Sequence, residues 1–220
     1  MHLHIIKRGV FNLFLPLYKN WSADISRISY IISIFALSIH KTDVMITIND
    51  KHFVPFIDKG QIAERVAALA ERLNADYRGR KPILIAILNG AFVFAADLVR
   101  HLTFEHEIQF AKFSSYEGME TTGRVKELIG VTADLRDRDV IIVEDIIDTG
   151  ITMHSLIPQF RDMGVRSVEV ATLLMKPKKL RVPLEVKYCA MEIPNKFIIG
   201  YGLDYDGLGR NYESIYVVKE

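Results

Sequence analysis

The chain has 220 residues, of which half are apolar and a quarter are charged, and its formal net charge is +1 at pH 7. That length allows one domain with a sizeable core, or one domain with a small appendage. A net charge so close to zero provides no global field for nucleic acid or an anionic membrane, so neither partner is expected and a charged ligand must be held by a local site.

Residues 1–44 differ in composition from the rest of the chain. They contain two acids, Asp24 and Asp43, against five Lys and Arg residues. Their longest apolar stretch, 28–39, is interrupted by serines and is shorter than the roughly 20 residues of a membrane span, and a signal peptide also fits poorly. The segment could be a poorly ordered extension, a surface-binding segment or translated sequence upstream of a start at Met45. We favour the last interpretation and expect 1–44 to lie outside the fold.

Helical and strand patterns alternate from residue 45 onward. "DKGQIAERVAALAERLN" has the apolar spacing of a helix, which Asp58 could cap with Gln61 three residues later. "PILIAIL" (82–88) predicts a buried parallel strand, and "AFVFAADLVRHL" predicts a largely covered helix. "EIQFAKF" (107–113) predicts a further strand. This alternation indicates an α/β domain with a mostly parallel sheet.

The pattern continues in the second half of the chain. "DVIIVED" (139–145) and "SVEVATLLM" (167–175) predict buried strands on either side of the helix "TMHSLIPQFRDMG". Gly164 should end that helix, and Pro158 should kink it or mark a late start. The predicted buried face of the helix consists of Met153, Leu156, Phe160 and Met163.

Two further segments have no regular helix. "SSYEGMETTGRVKELIG" (114–130) is long for a connection within a domain, and such loops are usually functional or disordered. The C-terminal residues contain short strands and turn residues, typical of a small β-rich subdomain over the strand ends. The only cysteine, Cys189, lies in the apolar stretch "VKYCAMEI" and is predicted to be a core residue. A single cysteine excludes an internal disulfide and favours a reducing compartment, the cytoplasm.

The segment "VIIVEDIIDTGITM" (140–153) contains the residues that indicate a ligand-binding site. It begins as a buried strand and continues into a helix, and ligands of such sheets bind at the carboxyl ends of strands. Thr149, Gly150 and Thr152 would place N–H groups and hydroxyls at a helix N-terminus, which suits a phosphate. Acids beside that turn, Glu144 and Asp145, can bind ribose hydroxyls or a divalent cation. The sequence therefore predicts a ribose-phosphate site.

This segment resembles the 5-phosphoribosyl-1-diphosphate (PRPP) motif of type I phosphoribosyltransferases. Together with "LNGAFVFAADL", "SSYEG", "LLMKP", "NKFIIGYGLDYD" and "GRNYESIYV", it resembles the hypoxanthine-guanine phosphoribosyltransferases over residues 46–219. The resemblance implies the type I phosphoribosyltransferase fold for residues 45–220, with a central, mostly parallel sheet flanked by helices. It also implies a mobile lid at about 114–132 and a small β-rich hood at about 185–220.

The resemblance further implies purine salvage: transfer of ribose phosphate from PRPP to hypoxanthine, and to guanine, through an oxocarbenium-like transition state. Mg²⁺ is the implied cofactor, and a homodimer or homotetramer is the implied assembly. For PRPP and phosphate it implies Leu88, Asn89, Gly90, Glu144, Asp145, Thr149, Gly150, Ile151, Thr152 and Arg210. The purine-binding residues that it implies are Lys176, Phe197, Ile198 and Asp204. The implied metal ligands are Glu144, Asp145 and Asp204. Ser115 and Tyr116 would lie at the base of the lid.

Several roles follow from the resemblance. Asp148 would take or share a proton of the purine's five-membered ring; it could also cap the following helix. Lys176 would donate to the oxygen at C6 and reject adenine, which carries a donor there, unless it is merely a surface lysine. The bond before Asn89 is often cis in the family, which frequently has Lys or Arg at this middle position, so one positive charge is absent here.

The other residues could also have purely structural roles. Glu144 and Asp145 could form a solvated strand end, Phe197 and Ile198 could be plain core, and Arg210 could be a solvated turn residue. At the level of function, the alternatives are a regulator that binds nucleotides or RNA without turnover, and a phosphoribosyltransferase for another base. A dinucleotide-binding domain fits poorly, because no GxGxxG follows the first strand.

Overall fold

A computed structural model describes residues 45–114 and 126–219. The predictions for residues 1–44, for Ser115 and Tyr116, and for most of the lid lie outside the described residues. In chain order the strands are β1 (Ile46–Ile48), β2 (Lys51–Ile57), β3 (Ile83–Ile87), β4 (Glu107–Ser114), β5 (Lys126–Ile129), β6 (Asp139–Ile147), β7 (Ser167–Met175), β8 (Tyr188–Glu192), β9 (Ile198–Ile199) and β10 (Ile215–Val218). The α-helices of these residues are α1 (Lys59–Asp76), α2 (Phe92–His101) and α3 (Ile151–Asp162).

The main sheet has the strand order β5-β4-β3-β6-β7-β8. Strands β4, β3, β6, β7 and β8 run parallel to one another, and β5 pairs antiparallel with β4 at the edge of the sheet. The central strand β6 is buried along Val140, Ile141, Ile142 and Val143, since both faces of the sheet are covered. The predicted parallel α/β sheet is therefore confirmed, and β6 extends two residues beyond the predicted 139–145.

The helices cover opposite faces of this sheet. Helices α1 and α2 share a core with Leu84 and Ile141, whereas α3 shares a core with Ile83 and Ile142. The predicted cap of α1 is confirmed: the Asp58 carboxylate accepts from two backbone N–H groups, and the Gln61 side chain accepts from the Asp58 N–H at 3.2 Å. Within residues 45–114 and 126–219, no helix is long and apolar enough to cross a membrane.

Helix α3 follows the prediction except at its end. Three predicted face residues, Met153, Leu156 and Phe160, are buried. Met163 was predicted to share that face, and this is wrong: it is 48% exposed, because the helix ends at Asp162. Gly164 follows with φ +77°, as expected of a helix stop. The helix begins at Ile151, so Pro158 lies inside it and does not mark a late start.

A second, antiparallel sheet forms the hood in the order β1-β2-β10-β9. Two of its strands, β1 and β2, come from the start of the described chain, so the predicted range of about 185–220 misses half of the hood. Strand β8 lies within that range but extends the main sheet beside β7. In β8, Cys189 is half-buried rather than fully buried, and burial raises the pKa of its thiol.

Candidate active site

Four segments meet above the carboxyl ends of the parallel strands. They are the loop 88–90 after β3, the β6–α3 junction at 144–152, the turn 176–179 after β7, and the hood segment 197–210. Parallel strands end at the same edge of a sheet, so residues far apart in sequence become neighbours there. The predicted site residues that the structure describes all lie on these segments.

The loop after β3 lies directly against Asp145 and the hood. The Leu88–Asn89 peptide is cis, as the resemblance implied. A Cβ atom at Gly90 would overlap the Asp145 carboxylate, and a Cβ at Gly202 would overlap the Gly90 carbonyl oxygen. Gly202 is therefore required for this close approach, and a side chain at position 90 would displace the Asp145 carboxylate. Asn89 is exposed at the middle of the loop.

Glu144 and Asp145 lie within β6, which continues to Ile147. The Glu144 Oε2 atom is buried and has no hydrogen-bond partner among the described residues. Burial, and then the charge of Asp145, raises the pKa of Glu144 well above its usual value. Burial also raises the pKa of Asp145 to about 6, although the Ile146 N–H donates to its Oδ1 at 2.8 Å. A solvated strand end is therefore excluded.

The junction between β6 and α3 is a tight turn with glycine at its centre. Gly150 has φ +78° and is the N-cap of α3, so the alternative that Asp148 caps this helix is wrong. The N–H groups of the first turn of α3 have no acceptor within the helix. Thr149 Oγ1 accepts from Ile151 N at 3.5 Å, and Ile151 and Thr152 are exposed. This turn can receive a phosphate.

Asp148 lies between two lysines. Its Oδ2 accepts a hydrogen bond from Lys179 Nζ at 2.6 Å, and its Oδ1 lies 3.2 Å from Lys176 Nζ. Partial burial alone would raise the pKa of Asp148, but the hydrogen bond from Lys179 and the ammonium of Lys176 outweigh it and hold the pKa below its usual value. Lys176 is only 6% exposed, so it is not a surface lysine. A carboxylate and a buried ammonium thus face one cleft.

The hood contributes a charged pair and an aromatic group. Arg210 forms an ion pair with Asp204 at 2.7 Å and donates to the Gly202 carbonyl at 2.7 Å, so it is not a solvated turn residue. Ile198 is buried, whereas Phe197 is 42% exposed. Plain core packing therefore fits Ile198 but not Phe197, whose ring is available to a ligand. The Phe197 and Tyr205 rings are nearly perpendicular, with 5.5 Å between their centroids.

Lys179 and Tyr205 border the site although the sequence did not single them out. The run "KPKK" after a buried strand was the available signal for Lys179, but lysines in a turn are usually solvated. The predicted site residues lie over the strand ends. A cavity of about 650 Å³ lies elsewhere, beside α1 and α2, and Arg210 is the one predicted site residue among those that line it.

Comparisons with known proteins point to the same chemistry. The family described as phosphoribosyl transferase domain matches residues 57–206. A hypoxanthine-guanine phosphoribosyltransferase of Streptococcus pneumoniae is 41% identical over 165 residues, which are 74% of this chain and 92% of the relative. The enzyme of the same name from Streptococcus agalactiae is 43% identical over 153 residues, covering 69% and 85%.

Solved structures show the same likeness. A hypoxanthine-guanine phosphoribosyltransferase from Bacillus anthracis superposes with a TM-score of 0.71 at 39% identity, covering 76% of this chain and 96% of the other. A hypoxanthine phosphoribosyltransferase from Trypanosoma cruzi gives a TM-score of 0.73 at 31% identity, covering 79% and 95%. The arrangement of sheet and hood is thus shared with proteins of that name.

Proposed function

Because this chain belongs to the hypoxanthine-guanine phosphoribosyltransferase family, we propose that PRPP and a 6-oxopurine bind together in the cleft above the strand ends. The protein is a pentosyltransferase of purine salvage, which joins hypoxanthine to ribose 5-phosphate and releases diphosphate. Guanine is the second base that we propose for it. The observation that carries the proposal is that the 149–152 turn, the partly buried acids of β6 and the Asp148–Lys176 pair lie together at the carboxyl ends of the strands.

The 5-phosphate of PRPP is assigned to the turn at 149–152. The left-handed Gly150 turns the chain so that N–H groups of Ile151 and Thr152 face the ligand, where the helix end adds a positive partial charge. The diphosphate is assigned to the loop 88–90 and to Arg210, whose guanidinium can form paired hydrogen bonds with phosphate oxygens. The cleft would hold the two reactants in line for displacement at the anomeric carbon.

The ribose hydroxyls and Mg²⁺ are assigned to the acids. Among the described residues, no three His, Cys, Asp or Glu side chains form a preassembled metal cage, so oxygens of the ligand would have to complete the coordination. The residues fit such a cation: Glu144 Oε2 is buried without a partner, and the pKa values of Glu144 and Asp145 are raised in its absence. Glu144, Asp145 and, on the hood, Asp204 would hold it. When bound, Mg²⁺ would neutralise charge on the departing diphosphate.

The base is assigned to the space between Lys176 and Phe197. The Lys176 ammonium would donate to the C6 oxygen, the exposed Phe197 ring would stack on the purine, and the backbone of Ile198 would meet the base edge. As one ring nitrogen forms its bond to the anomeric carbon, the carbon–oxygen bond to diphosphate breaks and that oxygen keeps the electron pair. The proton on the other imidazole nitrogen would pass to the Asp148 carboxylate, which its low pKa keeps ionised.

Assembly is a separate proposal. Ile108 and Phe110 project from the same face of the sheet as Leu84 and Ala86, which α2 helps to cover, yet they remain 37% and 43% exposed. Phe92 at the start of α2 is 42% exposed. Large apolar groups left exposed in this way suit an interface between copies of the chain, and we propose a homodimer or homotetramer. Sedimentation of wild type and of Phe110→Glu tests this; equal monomeric mass for both would contradict it.

The compartment is also proposed. The only cysteine is half-buried, and its thiol pKa is raised by burial, which makes it a poor nucleophile for disulfide exchange. This fits the reducing conditions of the cytoplasm, where we place the protein. Activity that is indifferent to millimolar reductant would agree; activity that requires oxidation would contradict it.

One assay tests the proposed function. Purified full-length protein is incubated with PRPP, Mg²⁺ and hypoxanthine, guanine, xanthine or adenine, and nucleotide formation is followed by chromatography. We expect IMP and GMP with hypoxanthine and guanine, no AMP, and no product when EDTA replaces Mg²⁺. Xanthine measures how far selectivity extends among 6-oxopurines. Absence of nucleotide with every base would overturn the proposal, and formation of AMP alone would overturn the assignment of Lys176.

A further inference from the structure

The turn that follows β7 forms backbone hydrogen bonds with residues on both sides of Asp148. Lys176 N donates to the Ile147 carbonyl at 2.9 Å, and Arg181 N donates to the Thr149 carbonyl at 2.9 Å. Lys179 N donates to the Lys176 carbonyl at 3.0 Å, which closes the turn. The backbone therefore holds the residues 176–181 against the loop that carries Asp148, and the position of their side chains relative to that carboxylate is defined.

The two oxygens of Asp148 have different surroundings. Oδ2 accepts a short hydrogen bond from Lys179 at 2.6 Å. Oδ1 is buried and accepts no hydrogen bond, although the Lys176 ammonium lies 3.2 Å away as an ion-pair partner. One oxygen is thus fixed by Lys179, while the other is covered and has the Lys176 ammonium beside it, so a ligand can reach it only when that ammonium turns to another acceptor. A buried oxygen without a hydrogen bond is costly unless a ligand supplies the donor.

We infer that Lys179 is a positioning residue, which holds Oδ2 of Asp148 so that Oδ1 faces the purine and receives its proton. This inference rests on the proposed function. When a 6-oxopurine binds, its C6 oxygen competes with Asp148 for the Lys176 ammonium, and Lys179 then remains as the cation that orients the carboxylate. Without Lys179, Lys176 would be the cation left beside Asp148, and a base that drew Lys176 to its C6 oxygen would leave the carboxylate with no cation to orient it.

The neighbouring lysine provides a matched control. Lys178 lies in the same turn, Pro177–Lys179, but its side chain is exposed, whereas that of Lys179 is one-third exposed and bonded to Asp148. A change of Lys178 to Met removes the same charge from the same turn without touching Asp148. Lys179→Arg keeps a cation within reach, whereas Lys179→Met removes it with little change in side-chain length.

The experiment compares wild type, Lys179→Met, Lys179→Arg and Lys178→Met as full-length proteins. Steady-state kinetics give kcat and KM for hypoxanthine and for PRPP, and the pH dependence of kcat/KM is recorded for each. The Lys179→Met change is also made in an Asp148→Asn background. Urea denaturation shows that every variant is folded. Wild-type IMP formation is measured first, so that failure of the proposed function is seen before any variant is interpreted.

For Lys179→Met we expect kcat/KM for hypoxanthine to fall roughly tenfold or more, the range for loss of a hydrogen bond to a charged group. KM for PRPP should stay within about twofold of wild type, Lys179→Arg should recover most of the loss, and Lys178→Met should behave as wild type. Among the described residues, the charged groups that act on Asp148 are Lys176 and Lys179. Removing one of them should move the acid limb of the pH profile to higher pH.

Three results would overturn the inference. One is a Lys179→Met protein that is as active as Lys178→Met while wild type forms IMP. Another is a loss that appears only in KM for PRPP, which would make Lys179 a phosphate contact. The third is an equal loss in the Asp148→Asn background, because a residue that acts through the Asp148 carboxylate should have little further effect once that carboxylate is replaced.

Discussion

Replacement of Lys176 by Met tests how the site selects 6-oxopurines. Lys176 is only 6% exposed and its ammonium lies 3.2 Å from Asp148, so few water molecules can solvate it. A hydrogen bond to a charged group contributes about 1.5–3 kcal/mol, which corresponds to roughly 10- to 150-fold in kcat/KM for hypoxanthine. Adenine would place an amino donor against this ammonium, and Lys176→Met removes that conflict. The hypoxanthine-to-adenine ratio should therefore fall by about 10² or more.

The assay measures IMP and AMP formation at saturating PRPP for wild type, Lys176→Met and the exposed control Lys178→Met. The variant should remain folded, because a methionine of similar length replaces a buried charge, and Asp148 keeps its hydrogen bond from Lys179. A base-selectivity ratio that stays within threefold of wild type, in a variant with an unchanged urea midpoint, would refute the assignment of Lys176 to the C6 oxygen.

Three further predictions concern the acids and the chain start. Glu144→Gln should raise KM for PRPP at least roughly tenfold. Above pH 7 the free protein should be as stable in urea as wild type, or about 1 kcal/mol more stable, because the burial that raises the pKa of Glu144 penalises its charge. A lower free energy of unfolding would contradict this. Hydrogen bonds from Lys187 and Tyr188 lower the pKa of Asp76. The ionised Asp76 therefore stabilises the folded protein above about pH 4, and this contribution is lost as the pH falls. Asp76→Asn should lower the free energy of unfolding at pH 7 but much less at pH 3. A protein that starts at Met45 should keep the melting temperature and kcat of the full chain; loss of either would show that residues 1–44 contribute.

Much of the fold could be predicted because its signals are local. The continuous apolar runs of β3, β6 and β7 indicated buried parallel strands, and Asp58 with Gln61 indicated the start of α1. The hood was only half predicted, because β1 has only three residues and the pairing of β2 with β10 joins opposite ends of the described chain. Met163 followed the helical period but lies beyond the helix end, which periodicity alone cannot locate.

The sequence by itself determined the class of sheet, the turn at 149–152 and the acids that precede it, because each of these depends on neighbouring residues along one strand and one turn. Only the tertiary structure decided that Lys179 bonds Asp148, 31 residues away, and that Gly90 lies against both Asp145 and Gly202. It also decided which acid oxygens are buried without a partner. The physical reason is that burial and pairing arise between segments that meet only when the sheet is assembled, and no local pattern encodes that distance.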